Sequence, residues 1–193
     1  LKSNSSNNTV YADADGNIAY FHGNFHPIRD LSFDWNHPVD GSNPATDWKG
    51  LHPVEEAINS LNPASGWLYN SNNWPFSLAG PDDSPKKENY PSYMSVNFEN
   101  PRGDHALGLY PNINDFDIDS LIAAGYDSFL PTFDQLTPNL VKALASAPAP
   151  VKAELQEAVD MLNAWDKRSG EASIETSIAM YWGNEMWKMI PKR

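Results

Sequence analysis

The sequence pattern changes from irregular and polar to periodic and apolar along the chain, and this change limits the folds it can adopt. Residues 23–101 are dominated by Pro, Asn, Asp, Ser and Gly, whereas after Asp117 apolar side chains recur at steps of three and four. So long an irregular stretch is typical of functional loops or of chain wrapped on a larger body. We therefore expect an α+β fold in one compact unit, with a β-hairpin and loop region over residues 1–101 and a helical region over residues 102–193.

A β-hairpin is predicted at the start of the chain. Residues 9–12 and 18–22 are rich in β-branched and aromatic side chains, and Gly16 lies in the polar segment between them. Asp13, Asp15, Gly16 and Asn17 also resemble the opening of a calcium loop. An EF-hand would place the glycine one position later and would close with a glutamate that is missing here. A plain turn is the preferred interpretation, and a calcium site is the alternative.

Helices are expected at five places after the hairpin. Residues 53–61 begin with a proline and two acids, which is typical of a helix N-terminus. Residues 119–126 and 132–146 are also predicted to be helical, with Pro138 as an interruption or first-turn residue. Two apolar stripes indicate longer core helices. The first runs through Val151, Leu155, Ala158, Val159, Leu162 and Trp165, and the second through Ile174, Ile178, Tyr181, Trp182 and Trp187.

Composition excludes several classes of function. The formal net charge of −12 repels phosphate backbones, so nucleic acid is not expected as a partner. The absence of cysteine removes disulfides, thiol catalysis and cysteine-based zinc sites. No run of 18 apolar residues is present, so no membrane span is expected.

No complete catalytic set is visible in the sequence. Covalent catalysis would need a Ser, Thr or Lys with a partner base, yet neither a Gly-x-Ser-x-Gly nor a His-Glu-x-x-His motif occurs. His22 and His26 are four apart but not on a helix, so we expect satisfied or exposed imidazoles and no metal site. The acid pairs Glu55-Glu56 and Asp82-Asp83 are expected to be solvated. Arg29 lies in a loop beyond the hairpin, and this position alone does not distinguish a functional arginine from a surface charge.

Five segments together resemble the penicillin acylase family of N-terminal nucleophile hydrolases. The first, Asn8–Tyr20, is similar to the family segment Asn-x-x-Tyr-Ala-Asp-x-x-Gly-Asn-Ile-x-Tyr. The others follow in the family's order at Pro38–Gly41, Asp47–Pro53, Asn62–Trp67 and Asn70–Pro75. The later segments Asn97–Asn100, Asp119–Ala124 and Tyr181–Gly183 are similar to the acyl-homoserine-lactone and aculeacin acylase side of that family.

The resemblance implies a fold, a mechanism and two site residues. The family fold is a four-layer αββα sandwich, to which this chain would contribute a hairpin, loops and a mostly helical lobe. In the family a serine at the start of the large subunit attacks an amide carbonyl, with its own α-amino group as base. Asn8 maps onto the asparagine whose amide stabilises the oxyanion, and Arg29 onto an arginine that helps to position substrate. The resemblance also implies no cofactor, a structural calcium in the complete enzyme, and a periplasmic or secreted location.

The sequence departs from the family pattern at the nucleophile. Leu1 carries no hydroxyl or thiol, and Ser3, Ser5 and Ser6 lie too close to Asn8 in sequence to be the family serine. We therefore expect an excised portion of the large subunit that is inactive by itself. Its partners would be the small subunit, the N-terminal part of the large subunit and a small N-acyl amide substrate.

The main alternative is a non-catalytic interaction module, for instance an extracellular carbohydrate-binding domain. The acidity, the many asparagines and the scattered tryptophans of the chain suit stacking on sugars and hydrogen bonding to them. The helical last third argues against this hypothesis, because carbohydrate-binding modules are usually all-β. Secondary-structure content therefore separates the two hypotheses.

Overall fold

The structure is a computed structural model that describes residues 7–23, 25–113 and 115–190. Leu1 and the serines at positions 3, 5 and 6, which were considered as nucleophiles, lie outside the described residues. The chain divides into two compact units, Leu1–Asn114 and Asp115–Arg193. The first holds a small sheet, short turns and one longer helix, and the second is helical.

The first unit is built on a three-stranded antiparallel sheet. Strands β1 (Thr9–Ala12), β2 (Ile18–Phe21) and β3 (Asn59–Leu61) lie in the order β1-β2-β3, so the predicted hairpin is confirmed. In its turn, the Asp13 carboxylate accepts hydrogen bonds from the backbone N–H groups of Asp15 at 3.0 Å and Asn17 at 2.9 Å. Gly16 takes a φ of 85°, which favours glycine. The carboxylate of Asp13 is thus used within the turn.

The prediction of a helix over residues 53–61 is wrong. Only Val54–Glu56 forms a single 3-10 turn, and the segment then continues as β3. The side chain of Ile58 is fully buried, and its carbonyl accepts the backbone N–H of His22 at 2.9 Å. Pairing with the free edge of β2 satisfies backbone groups that a short helix would leave unpaired, so the non-local interaction outweighs the local preference.

The loops of the first unit carry short helical turns and one longer helix. Helix α1 is the single turn Gly80–Asp83, and α2 spans Pro101–Leu109. Asn100 caps α2 by accepting hydrogen bonds from the N–H groups of Arg102 and Gly103, each at 3.1 Å. The remaining turns are 3-10 helices at Pro44–Thr46, Pro75–Ser77, Lys87–Asn89, Ser92–Met94 and Tyr110–Asn112.

The Glu99 carboxylate organises the loop that precedes α2. Its Oε1 accepts the backbone N–H of Asn100 at 3.0 Å. Its Oε2 accepts hydrogen bonds from four side chains of the loop, those of Tyr69, Asn73, Trp74 and Ser77. Hydrogen bonds to an ionised acceptor are roughly twice as strong as neutral ones. Residues 69–77 are therefore held in one conformation although they form little regular structure.

The described part of the second unit contains four helices, and all four lie where helices were predicted. Helix α3 spans Ile118–Gly125, α4 spans Thr132–Ala145 with Pro138 inside it, and α5 spans Ala149–Ala164. Helix α6 spans Ile174–Met189. Asp117 caps α3 in a capping box with Ser120, which explains where this helix starts.

The predicted apolar stripes are only partly buried in this unit. Phe133, Leu162, Trp165 and Ala179 form its core. Leu162 and Trp165 belong to the first stripe, yet Val151 and Leu155 of the same stripe are exposed. On α6, Ile178 and Trp182 pack against the core, whereas three other members of the predicted stripe are exposed, namely Ile174, Tyr181 and Trp187.

The described residues thus combine several helices with one small sheet, which agrees with the α+β class and not with the all-β fold of the carbohydrate-binding alternative. None of the described helices combines the length and the apolar character needed to cross a bilayer.

Candidate active site

Asn8 lies directly before β1, and its side-chain amide has a defined orientation. The backbone N–H of Gly23 donates to the Asn8 Oδ1 at 3.0 Å. An N–H group donates only to an acceptor, so the amide oxygen of Asn8 must face Gly23. The amide nitrogen of Asn8 then points away from Gly23. Gly23 has a φ of 63°, a conformation that favours glycine and turns the chain back toward Asn8 after β2.

The amide nitrogen of Asn8 faces a second asparagine. Its Nδ2 lies 3.5 Å from the Oδ1 of Asn70. The Nδ2 of Asn70 in turn lies 3.4 Å from the hydroxyl of Tyr20 on β2. A primary amide nitrogen carries two hydrogens, so Asn8 can donate one hydrogen bond to Asn70 and another to an acceptor outside this chain of contacts.

Tyr20 and His22 form the buried end of this chain of contacts. They are two residues apart at the end of β2 and therefore point to the same side of the sheet. The Tyr20 hydroxyl lies 2.8 Å from the Nδ1 of His22, and both side chains are buried. Burial, together with repulsion from His26, lowers the pKa of His22 to about 4. Burial also raises the pKa of Tyr20 above its usual value, so both groups are neutral near pH 7.

The Tyr20 hydroxyl and the Nδ1 of His22 share one hydrogen bond, in which the phenol is the donor when the imidazole carries its proton on Nε2. His26 stacks on His22, with ring centroids 6.1 Å apart, and its Nε2 bonds the carbonyl oxygen of His22 at 2.7 Å. Both imidazoles therefore have partners, as expected. Within the described residues, no group of three His, Asp or Glu is placed to hold a metal ion.

Arg29 lies in a second cluster of the first unit, formed largely by aromatic rings. Its segment pairs with residues 49–51, through hydrogen bonds of 3.0 Å from Ile28 N–H to Gly50 and from Lys49 N–H to Ile28. The guanidinium carbon lies 4.9 Å from the ring centre of Trp35, with Trp48 and Tyr93 at 5.9 and 6.0 Å. Cation–π attraction accounts for this arrangement.

The polar groups of Arg29 differ in whether the described residues satisfy them. Its Nε is buried and has no hydrogen-bond partner among the described residues. The backbone N–H of Arg29 donates to the Tyr93 hydroxyl at 3.3 Å. That hydroxyl also bonds the Nε2 of His52 at 2.9 Å, while the Nδ1 of His52 donates to the Glu56 carboxylate at 2.8 Å. Glu56 is thus exposed, as expected, but paired.

The two residues singled out by the resemblance are connected through intermediates. From Asn8 the contacts run through Asn70 and Tyr20 to the stacked imidazoles. The carbonyl of His26 then accepts the backbone N–H of His52 at 2.8 Å, and His52 reaches Arg29 through Tyr93. The sequence did not single out Tyr20, Asn70, His52 or Tyr93. The available signals were the spacing of two between Tyr20 and His22 and the position of Asn70 and His52 in family-like segments.

The arrangement combines an oriented amide donor with a fixed positive charge. Groups of this kind stabilise an oxygen that gains negative charge during a reaction, because they need little reorganisation when the charge develops. An amide N–H that is held by its own oxygen, as in Asn8, meets that requirement. The Asn8 amide nitrogen is thus a donor of the type that suits an anionic or polarised oxygen.

Comparisons with known proteins identify the family of the chain. Residues 2–193 match the family model of penicillin amidase. Penicillin G acylase of Escherichia coli is 44% identical over 68 residues, which make up 35% of this chain and 8% of that protein. The solved structure of a thermostable penicillin G acylase from Alcaligenes faecalis matches 96% of this chain and 33% of its own, at a TM-score of 0.64 and 24% identity, and so shows the fold alone. The chain spans a third or less of the length of either relative. On the match along nearly its whole length, the chain belongs to the penicillin amidase family.

Proposed function

We propose that this chain supplies part of the active site of an amide hydrolase that cleaves N-acyl amides, with Asn8 as an oxyanion donor. The observation that carries the proposal is the hydrogen bond from Gly23 N–H to the Asn8 Oδ1, which holds the amide with its Nδ2 available as a donor. Attack of a nucleophile on an amide carbonyl produces a tetrahedral intermediate with a negatively charged oxygen. A donor placed for that oxygen contributes about 3 kcal/mol to transition-state stabilisation.

Arg29 is proposed to position the substrate. Its guanidinium is held against aromatic rings, so its charge stays in one place. The buried Nε leaves one donor for a substrate oxygen or a bridging water. An arginine confined in this way loses little side-chain entropy on binding, which favours precise placement of the reacting carbonyl.

The nucleophile of the proposed reaction lies outside these 193 residues. We propose that it is a serine at the start of the large subunit, and that the rest of that subunit and the small subunit complete the site. The chain matches a third of the Alcaligenes structure, which leaves room for these parts in a longer relative. On this proposal the 193-residue chain alone hydrolyses no amide, and the complete enzyme works in the periplasm or outside the cell. Penicillins, acyl-homoserine lactones and acylated peptides are the candidate substrate classes.

The test is hydrolysis of a panel of N-acyl amides from these three classes by the complete, processed enzyme. Asn8→Ala should lower kcat by about a hundredfold or more, because the variant loses the oxyanion donor. Asn139→Ala, which removes an exposed amide on α4, is the matched control and should leave kcat unchanged. Full activity of Asn8→Ala would remove Asn8 from the site. A folded and processed enzyme that cleaves no member of the panel would refute the amidase proposal.

A further inference from the structure

We propose that Asn70, held in turn by Tyr20, is a positioning residue that sets the amide of Asn8 for oxyanion stabilisation. This inference rests on the proposed function of Asn8. It concerns a contact between side chains 62 residues apart in sequence. Asn70 does not touch the reacting atoms in this proposal and acts only through Asn8.

The amide of Asn8 is held at both ends. The N–H of Gly23 fixes its oxygen, but rotation about the last side-chain bond can still tilt the nitrogen. The Oδ1 of Asn70 faces that nitrogen and attracts one of its two hydrogens. The second hydrogen must then point away from Asn70 by the planar geometry of the amide. The contact therefore selects a direction for the remaining donor.

Only one orientation of the Asn70 amide satisfies its neighbours. The Tyr20 oxygen can accept a hydrogen bond wherever its own proton points. The Nδ2 of Asn70 is the donor that faces this oxygen. If the amide of Asn70 were reversed, its NH2 group would face the NH2 group of Asn8. The Tyr20 hydroxyl and the amide of Asn8 thus select the same orientation of Asn70, and Asn70 in turn restrains the amide nitrogen of Asn8.

The backbone next to Asn70 is itself anchored. Its neighbour Tyr69 bonds Leu78 through the backbone at 2.9 Å and contributes its hydroxyl to the Glu99 network. The buried side chain of Asn73 belongs to the same network and bonds the Tyr69 hydroxyl at 3.0 Å. An orienting residue is useful only when its own position is fixed, and Asn70 meets this condition.

The distances limit the size of the expected effect. The contacts of Asn70 with Asn8 and Tyr20 measure 3.5 and 3.4 Å, near the outer limit for hydrogen bonds. Hydrogen bonds around catalytic groups commonly tighten when the transition state forms. We therefore expect loss of Asn70 to cost less than loss of Asn8, about tenfold in kcat against a hundredfold, with little change in KM.

The test is a double-mutant cycle in the complete, processed enzyme, with Asn8→Ala, Asn70→Ala and the double variant. Asn70→Ala should lower kcat about tenfold in the wild-type background and by less than twofold in the Asn8→Ala background, because it acts through Asn8. Tyr20→Phe keeps the buried ring and should lower kcat about threefold with the same dependence on Asn8. This second variant keeps the test decisive if Asn70→Ala does not fold.

The outcomes separate this inference from the proposed function. Equal losses from Asn70→Ala in both backgrounds, or unchanged kcat in Asn70→Ala and Tyr20→Phe, would overturn the positioning role while Asn8 keeps its own. Unchanged kcat in Asn8→Ala would instead refute the oxyanion role and this inference with it. A rise in KM at constant kcat in Asn70→Ala would also overturn the inference, since it would indicate loss of ground-state binding.

Discussion

Two glycines of helix α2 should respond in opposite directions to the same substitution. Gly103 lies in the first turn and is buried, and a Cβ added there would lie 1.9 Å from the Glu99 Oε1 and 3.1 Å from the Asn73 Nδ2. Gly108 lies near the end of the helix and is exposed, and a Cβ there would meet nothing within 4 Å. Neither glycine has a positive φ, so the backbone itself accepts alanine at both positions.

The magnitude follows from the contacts of Glu99. To make room for a methyl group on Gly103, the carboxylate must leave a position in which it accepts hydrogen bonds from Asn100, Trp74 and Ser77, among others. Losing one or two hydrogen bonds to a charged group costs about 1.5–3 kcal/mol each. Replacing glycine by alanine inside a helix returns about 1 kcal/mol. We expect Gly103→Ala to lower the free energy of unfolding by about 2–4 kcal/mol and Gly108→Ala to raise it by up to about 1 kcal/mol.

The assay is equilibrium urea unfolding followed by tryptophan fluorescence, with Gly108→Ala as the matched control for helix propensity. A third measurement isolates the cause. In a Glu99→Ala background the carboxylate is gone, so Gly103→Ala should no longer destabilise the protein. Equal stabilities of the two alanine variants, or the same penalty with and without Glu99, would refute the view that this carboxylate is fixed by its hydrogen bonds.

Three further predictions concern stability. In the folded protein the pKa of His22 is lowered from 6.5 to about 4. Between these two pH values His22 is therefore protonated in the unfolded chain but neutral in the folded one. The free energy of unfolding should therefore fall by up to about 3 kcal/mol as the pH is lowered through this window, and an unchanged pH slope in His22→Gln would contradict the assignment. Leu162→Ala should cost about 2–5 kcal/mol in thermal unfolding, whereas its control Leu155→Ala, exposed on the same helix, should cost less than about 1 kcal/mol. Gly80→Ala should cost about 1–2 kcal/mol by urea unfolding, because Gly80 has a φ of 84°, and a neutral effect would contradict that strain.

Local signals predicted the elements that local interactions stabilise. The hairpin turn is closed by the Asp13 carboxylate and Gly16, all within five residues, so its sequence pattern was sufficient. Helix α3 begins at its own capping box, and α5 lies where the apolar period of residues 151–165 predicted a helix. The N-cap and first-turn proline of α2, Asn100 and Pro101, were also local signals, although they were not used to predict that helix.

Non-local contacts decided the features that the sequence did not predict. Periodicity identified α6 but not its buried side, because a helix that packs on one neighbour buries only part of its apolar surface. Ile178 and Trp182 pack on Phe133 and its neighbours, whereas Tyr181, between them in sequence, is exposed. In the same way, Asn8 and Arg29 were predicted as site residues from a family resemblance, whereas the contacts of Asn70 and Tyr93 with them are visible only in the tertiary structure.

The register of the small sheet explains why β3 forms where a helix was expected. A two-stranded hairpin is marginally stable, and a slip of one residue would turn every side chain to the other face, including Tyr20. β3 pairs with β2, and Asn62 then closes the sheet by exchanging two hydrogen bonds of 2.9 Å with the backbone of Ile18. The register of β1 on β2 is the same along the whole hairpin, from the Ala12–Ile18 pair to the Thr9–Phe21 pair. It therefore also sets Asn8, just before Thr9, near Gly23, whose N–H bonds the Asn8 Oδ1. The third strand therefore stabilises the orientation of an amide that it does not touch.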